Sequence, residues 1–391
     1  MTFTIREEAK DDLLSRGFSR RQMMRAAIAL SGGAAALTMM SPEMAFAQED
    51  REAGMKVRIG SNECWTGPMP VGLAALTKTA PTGNRYSPNN ERGKLIKAIA
   101  QIENVPEDHI MPWPGSNEAL VRSVFAFCSP TKSLVQADPS YETCGRAAKF
   151  LNIPIKNVPL TGDYAHDTKA MAAADANAGV FYVVNPNNPT GTMTPTADIE
   201  WLVDNKPAGS IVVIDEAYIH FSRDYPNNTT SHLAAAGKDV LINRTFSKIF
   251  GMAGLRVGYV MGRPDLLAKL RLYDGGYLSN MLPVTSVACA TASLADKATM
   301  LQRVKTLNAN RAMTVDFLTK RGFKMIGPSE ANMVMVDWKT KAAKDMQAAF
   351  RAQGVEIGRA WPVWPTVSRI SIGSKEDMEG FFAAFSKVVS A

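Results

Sequence analysis

The sequence predicts an α/β protein: a large domain on a mainly parallel, doubly wound sheet, then a smaller α+β domain at the C-terminus. Three observations carry this expectation. Near-continuous apolar runs at 133–137, 180–184, 211–214, 240–242 and 257–261 alternate with stretches of helical texture. Strands read this way when helices cover both faces of their sheet. Polar clusters follow three of the runs directly: Asn185-Pro186-Asn187-Asn188-Pro189-Thr190-Gly191, Asp215-Glu216-Ala217-Tyr218, and Thr245-Phe246-Ser247-Lys248. The carboxyl edge of an open parallel sheet is where such folds bind ligands. After about residue 285 the texture changes to a long helix, short strands at 333–336 and 369–372, and helices near 341–353 and from 375.

In chain order, residues 1–47 differ from the rest. Arg20-Arg21 precedes a mildly apolar stretch from Ala26 to Met40, and Ala45-Phe46-Ala47 then gives a small-x-small cleavage pattern before Gln48. That order reads as a secretory signal, too short for a membrane span, and the paired arginines make it a twin-arginine signal. The expected location is therefore the periplasm, with the twin-arginine export machinery as a partner. Residues 48–85 form an N-terminal arm, 86–285 the large domain and 286–391 the small one.

Composition excludes several classes. The chain has 391 residues and a net charge of +7 spread along its length, without the basic block or motif of a nucleic-acid binder. Its length supports a large core without staples. Cys64, Cys128, Cys144 and Cys289 lack Cys-x-x-Cys spacing, and the histidines show no ligand spacing with them, so no metal site is expected.

Lys248 is the chemical centre of the reading. An apolar strand that delivers one lysine into a Gly-punctuated turn aims an amine at a bound carbonyl, and such amines form Schiff bases with pyridoxal phosphate. Gly115-Ser116-Asn117 opens a helix, whose N-terminal N–H groups form an anion site; Ser247 and Arg256 add a hydroxyl and a guanidinium.

With these motifs in view, the chain resembles a fold type I pyridoxal-phosphate aminotransferase of the aspartate aminotransferase superfamily, most similar to the histidinol-phosphate aminotransferase branch. The resemblance runs from about Asn62 to the C-terminus. It implies pyridoxal 5′-phosphate as cofactor and an internal aldimine on Lys248, whose freed amine shuttles a proton. It implies that Asp215 faces the pyridine nitrogen, leaving Glu216 structural, and that Asn188 and Tyr218 hydrogen-bond the phenolic oxygen. Tyr141 matches the aromatic that stacks on the ring. Ser116, Asn117, Ser247 and Arg256 correspond to the phosphate donors, and Tyr86 to a tyrosine that reaches the cofactor of a neighbouring subunit, which implies a homodimer with shared sites. Arg369 matches the clamp for the substrate α-carboxylate, with Asn188 beside it.

The early loop Asn62-Glu63-Cys64-Trp65 departs from the branch, which has Asn-Pro where this chain has Cys-Trp. Trp361 and Trp364 flank the approach to Arg369. Bulky aromatics there point to an aromatic or apolar L-amino acid with a 2-oxo acid as acceptor. Competing expectations are a decarboxylase or lyase using the same cofactor, and a non-catalytic periplasmic binding protein on the same scaffold.

Overall fold

The computed structural model describes residues 6–38, 54–273 and 279–389. The candidate cleavage site at 45–47 lies outside the described residues. No described helix is long and apolar enough to cross a membrane.

Seven strands form the main sheet in the order β2 (Ile110–Trp113), β8 (Gly258–Met261), β7 (Val240–Thr245), β6 (Ile211–Asp215), β5 (Ala178–Val184), β3 (Ser133–Asp138), β4 (Ile155–Pro159). From β7 to β4 every pairing is parallel; β8 runs antiparallel to both of its neighbours. The sheet is thus mainly parallel, as expected, with one reversed strand.

Side chains alternate across a strand with period two, and the central strands use both faces. Val180, Tyr182, Val184, Val213 and Leu241 enter one core, with Leu120 and Val124 of the helix Asn117–Phe127. Phe181, Val183, Val212, Ile214, Val240 and Ile242 enter the other, with Ile199 and Leu202 of the helix Thr196–Asn205. Two buried faces explain why these strands read as unbroken apolar runs.

A second sheet, antiparallel, has the order β12 (Ala360–Trp361), β13 (Trp364–Ser371), β10 (Met333–Asp337), β9 (Lys324–Met325). The N-terminal arm joins this part of the chain: β1 (Val57–Ile59) pairs in parallel with β11 (Val355–Ile357). Residues 7–15 and 20–38 form two helices. All four cysteines are free, and Cys128, Cys144 and Cys289 are buried.

Beneath the carboxyl ends of β6 and β7 lies a buried ion triad. Arg244 donates from Nη1 to Glu103 at 2.6 Å and from Nε to Glu216 at 2.8 Å, and all three residues are buried. Thr230 satisfies the other Glu216 oxygen through N–H (2.8 Å) and hydroxyl (2.7 Å), and Tyr259 donates to Glu103 at 2.8 Å. Charges out of water hold only while paired. Arg244→Met would strand two buried carboxylates, so it is expected to lower folding stability by about 3–5 kcal/mol. The midpoint of urea unfolding should fall with its slope unchanged; an unaltered midpoint would refute the ion-triad reading.

Candidate active site

Three strand ends converge on one cavity of about 360 Å³. β6 ends at Asp215, which stands in register with Val184 of β5 and Asn243 of β7. β5 leads directly into the turn that carries Asn188, and β7 into Ser247 and Lys248.

Asp215 is 2% exposed. Its carboxylate accepts the Ala217 N–H at 3.1 Å and the Tyr182 hydroxyl at 3.1 Å. Burial pushes its pKa up to about 6; those two donors and the nearby Lys248 ammonium act against burial without cancelling it. A carboxylate left short of positive charge in this way is suited to a buried cation or a protonated nitrogen.

Lys248 Nζ donates to the Asn62 carbonyl at 3.2 Å and lies 5.3 Å from the centre of the Tyr218 ring. The Tyr218 hydroxyl accepts from Asn62 Nδ2 at 3.1 Å and from Asn188 Nδ2 at 3.4 Å. Arg369, on β13, donates from Nη1 to Asn188 Oδ1 at 2.9 Å and from Nη2 to the Gly60 carbonyl at 2.6 Å. Its Nε is buried with no protein partner, and burial lowers the guanidinium's pKa. Arg369 is thereby held partly desolvated and under-satisfied at the cavity wall, a state that favours an incoming carboxylate.

At the opposite end, Gly115 turns with φ +81°, and a Cβ there would stand 2.2 Å from Arg256 Nη2. Only glycine lets the guanidinium lie against this turn. The helix Asn117–Phe127 starts immediately after, with Ser116 at its cap, so its free N–H groups face the same end. Tyr141 donates to Asn117 Oδ1 at 2.9 Å, tying the aromatic to the helix start. Thr245 Oγ1 donates to Ser247 Oγ at 2.9 Å.

The residues present fit pyridoxal phosphate part by part. Anion donors gather around Gly115, a proton-seeking carboxylate sits at the far end, two donors meet at the Tyr218 hydroxyl, and a primary amine stands between. The chain belongs to the aminotransferase class I and II family. The family model matches residues 55–385. Its cofactor is pyridoxal 5′-phosphate and its activity is amino-group transfer. The chain is 32% identical over 340 residues to an aromatic amino acid aminotransferase of Nocardia farcinica, covering 85% of this chain and 92% of the relative. It is 30% identical over 365 residues to a histidinol-phosphate aminotransferase of Moorella thermoacetica, covering 89% and 90%. A solved histidinol-phosphate aminotransferase of Sinorhizobium meliloti, in complex with pyridoxal 5′-phosphate, superposes with a TM-score of 0.77 at 25% identity, covering 90% and 95%.

Of the residues expected at the site, Ser116, Asn117, Tyr141, Asn188, Asp215, Tyr218, Ser247, Lys248, Arg256 and Arg369 all line the cavity. Tyr86 does not; it is 98% exposed and lies elsewhere on the surface. Three contributors went unrecognised in the sequence. Asn62 ties together Lys248, Tyr218 and Ser371. Tyr182 is hidden inside an apolar strand, where a hydroxyl two residues before the strand end was the only signal. Glu142 lines the cavity and pairs with Arg359, the residue before β12 of the second sheet.

The Asp215 shift has a pH consequence. In the unfolded chain this carboxyl ionises near its ordinary value of 3.8, but in the fold only near about 6. Its burial therefore costs stability above about pH 6, and the cost disappears as pH falls through the window down to about 4. In cofactor-free protein, Asp215→Asn is expected to raise folding stability at pH 8 by up to about 3 kcal/mol and to leave it unchanged below pH 4. Urea titrations at the two pH values check this; equal differences at both would rule out the burial cost.

Proposed function

We propose that this aminotransferase acts on an aromatic or apolar L-amino acid and a 2-oxo acid, and that Lys248 is its catalytic amine. Pyridoxal phosphate, when bound, supplies the electron sink for the bonding pair at the amino acid's Cα. Lys248 would hold the cofactor through its amine and, once freed, would carry a proton to and from the substrate Cα. Asp215 would keep a proton on the ring nitrogen: the burial that raises its own pKa equally strengthens its hold on a buried N–H⁺. Asn188 and Tyr218 would bind the phenolic oxygen, and Tyr141 would pack on the ring. Ser116, Asn117, Ser247 and Arg256 bind the phosphate. Arg369, steadied by Asn188, binds the substrate carboxylate in the bidentate manner its planar fork allows. The observation that carries these roles is the convergence of the Lys248 amine and the Asp215 carboxylate on one cavity.

For the side-chain preference, the support is the wall beside Arg369. Trp361 is 3% exposed and lines the cavity, with the Arg369 guanidinium 5.5 Å from its ring centre. Behind it, Tyr164 and Trp364 meet edge to face at 5.9 Å, packed with Ile326, Met335 and Val367. Arg359, the guanidinium at the outer end, is already engaged by Glu142. A wall of this kind favours a flat apolar side chain over a phosphate or second carboxylate. Trp361→Ala is expected to lower kcat/KM for phenylalanine and tyrosine by about 10- to 100-fold more than for aspartate. An equal loss for all three would sink the assignment of Trp361 to side-chain selection.

Tyr86 supports a homodimer with shared sites. It is exposed beside Met281, Leu282, Pro283 and Val284, an apolar surface away from its own cavity, as a residue serving the partner subunit's site would be. Subunit mixing tests this. Tyr86→Ala and Lys248→Ala proteins, each impaired alone, should on random reassociation recover about a quarter of wild-type activity, because half the dimers are hybrid and each has one complete site. No recovery would rule out sharing.

Export to the periplasm through the twin-arginine machinery completes the reading, supported by Arg20-Arg21, the apolar stretch and Ala45-Phe46-Ala47. Replacing both arginines by glutamine is expected to retain the protein in the cytoplasm on cell fractionation.

A further inference from the structure

Residues 6–30 lie outside the segment that matches the family model, 55–385. They are nevertheless packed against the catalytic domain. Ala9, Leu13, Phe18, Ala26 and Ala29 are each at most 3% exposed and share a core with Phe125, Leu151 and Tyr273.

The polar contacts are more specific than the apolar ones. Arg16 donates from Nη2 to the Phe125 carbonyl at 2.6 Å and from Nη1 to the Cys128 carbonyl at 2.8 Å, at the C-terminal end of the helix Asn117–Phe127. It also donates to the Tyr273 hydroxyl at 2.7 Å and to Asp12 at 2.9 Å, and Tyr273 in turn bonds Asp12. Gln22 donates to the Leu151 carbonyl at 2.7 Å and Arg25 to the Phe150 carbonyl at 3.1 Å, at the C-terminal end of the helix Thr143–Phe150. Helices leave their last carbonyls unpaired, and cations are favourable there. These acceptors converge only when both helices have formed and packed. The same two helices present their N-terminal ends to the cofactor cavity, through Ser116-Asn117 and Tyr141-Glu142.

Local structure then fixes what the hairpin exposes. Gly17, at φ +84°, turns the chain out of the first helix. Ser19 N–H donates to Gln22 Oε1 at 2.9 Å and Gln22 N–H to Ser19 Oγ at 3.3 Å, a reciprocal capping box that starts the second helix. Arg20 and Arg21 are therefore its first two residues, and both are exposed. Cations at a helix N-terminus oppose the helix dipole. The pair does nothing for the hairpin's stability; it concentrates positive potential on an ordered surface that fits an acidic partner.

We propose that residues 6–30 are a folding-dependent clasp, docking on the carbonyl ends of the two cofactor-site helices and so displaying Arg20-Arg21 to an acidic receptor surface only from a folded catalytic domain. The docking stands on contacts alone; the receptor's identity as part of an export apparatus rests on the reading given above.

Hydrogen exchange on the full-length holoenzyme tests the docking. Amides of the second helix from Met23 to Leu30 should exchange at least about 10-fold more slowly than in Arg16→Ala protein, while the visible absorbance of bound cofactor, reporting a folded domain, stays the same. Tyr273→Phe should show an intermediate effect, and the double change Arg20→Gln, Arg21→Gln should show none. Free-peptide exchange rates in the wild type, or equal protection in Arg16→Ala, would overturn the clasp. Pulse-chase processing in cells tests the display. Arg16→Ala should slow conversion to the mature form several-fold with both arginines still present, and unchanged or faster conversion would overturn that role. Normal processing of the glutamine pair would instead remove the export reading and leave the docking intact.

Discussion

A single charged group held out of water organises this molecule: the Asp215 carboxylate at the end of β6. A carboxylate in that position has to be surrounded by donors, and the fold supplies the Ala217 N–H, the Tyr182 hydroxyl and the field of Lys248. Those groups leave its pKa raised, which means the protein alone does not fully compensate the charge. The remaining demand is what makes the cavity a receptor for a protonated heterocycle. Asp215 can occupy that place because β6 is flanked on both edges and covered on both faces, so its end is enclosed.

Next to it in sequence, Glu216 does the opposite job. It turns away from the cavity into a closed network with Arg244, Thr230 and, through Arg244, Glu103. Adjacent acidic residues at a strand end thus divide into one that is satisfied internally and one that is not. A satisfied ion triad makes the strand ends rigid, while the unsatisfied neighbour carries the binding potential. That division was legible in the resemblance, but the partners of Glu216 lie 28 and 14 residues away and were not.

Much of the fold could be read directly. Strand positions follow from two-sided burial, and polar residues at the strand ends mark the cavity in the sequence itself. What escaped was long-range pairing. Asn62 reaches Tyr218 and Ser371 across 156 and 309 residues, and nothing in a local window distinguishes it from an ordinary left-handed turn asparagine, which at φ 55° it also is. Tyr182 was masked by its neighbours, since in a run such as 180–184 an aromatic hydroxyl reads as one more apolar strand residue. The reversal of β8 was equally hidden, because burial patterns carry no information about strand direction.

Asn62 also explains how the two sheets are kept in working register. Its carbonyl accepts Lys248 from the main sheet and Asn332 from the loop before β10, while its side chain joins Tyr218 on one side to Ser371, at the end of β13, on the other. Arg369 lies two residues before Ser371 on that strand, so any slide of β13 against β6 that moved the guanidinium would also break the Asn62 contacts. The backbone pairing of β1 with β11 adds a second tie from the same arm. An arm of a few residues, held by hydrogen bonds at Asn62 and by the buried side chains of Val57 and Ile59, aligns a carboxylate clamp on one sheet with an amine on the other. The branch-typical Asn-Pro can be replaced here by Cys64-Trp65 because the coupling runs through the preceding asparagine: Cys64 and Trp65 contribute none of the contacts that join Lys248, Tyr218 and Ser371.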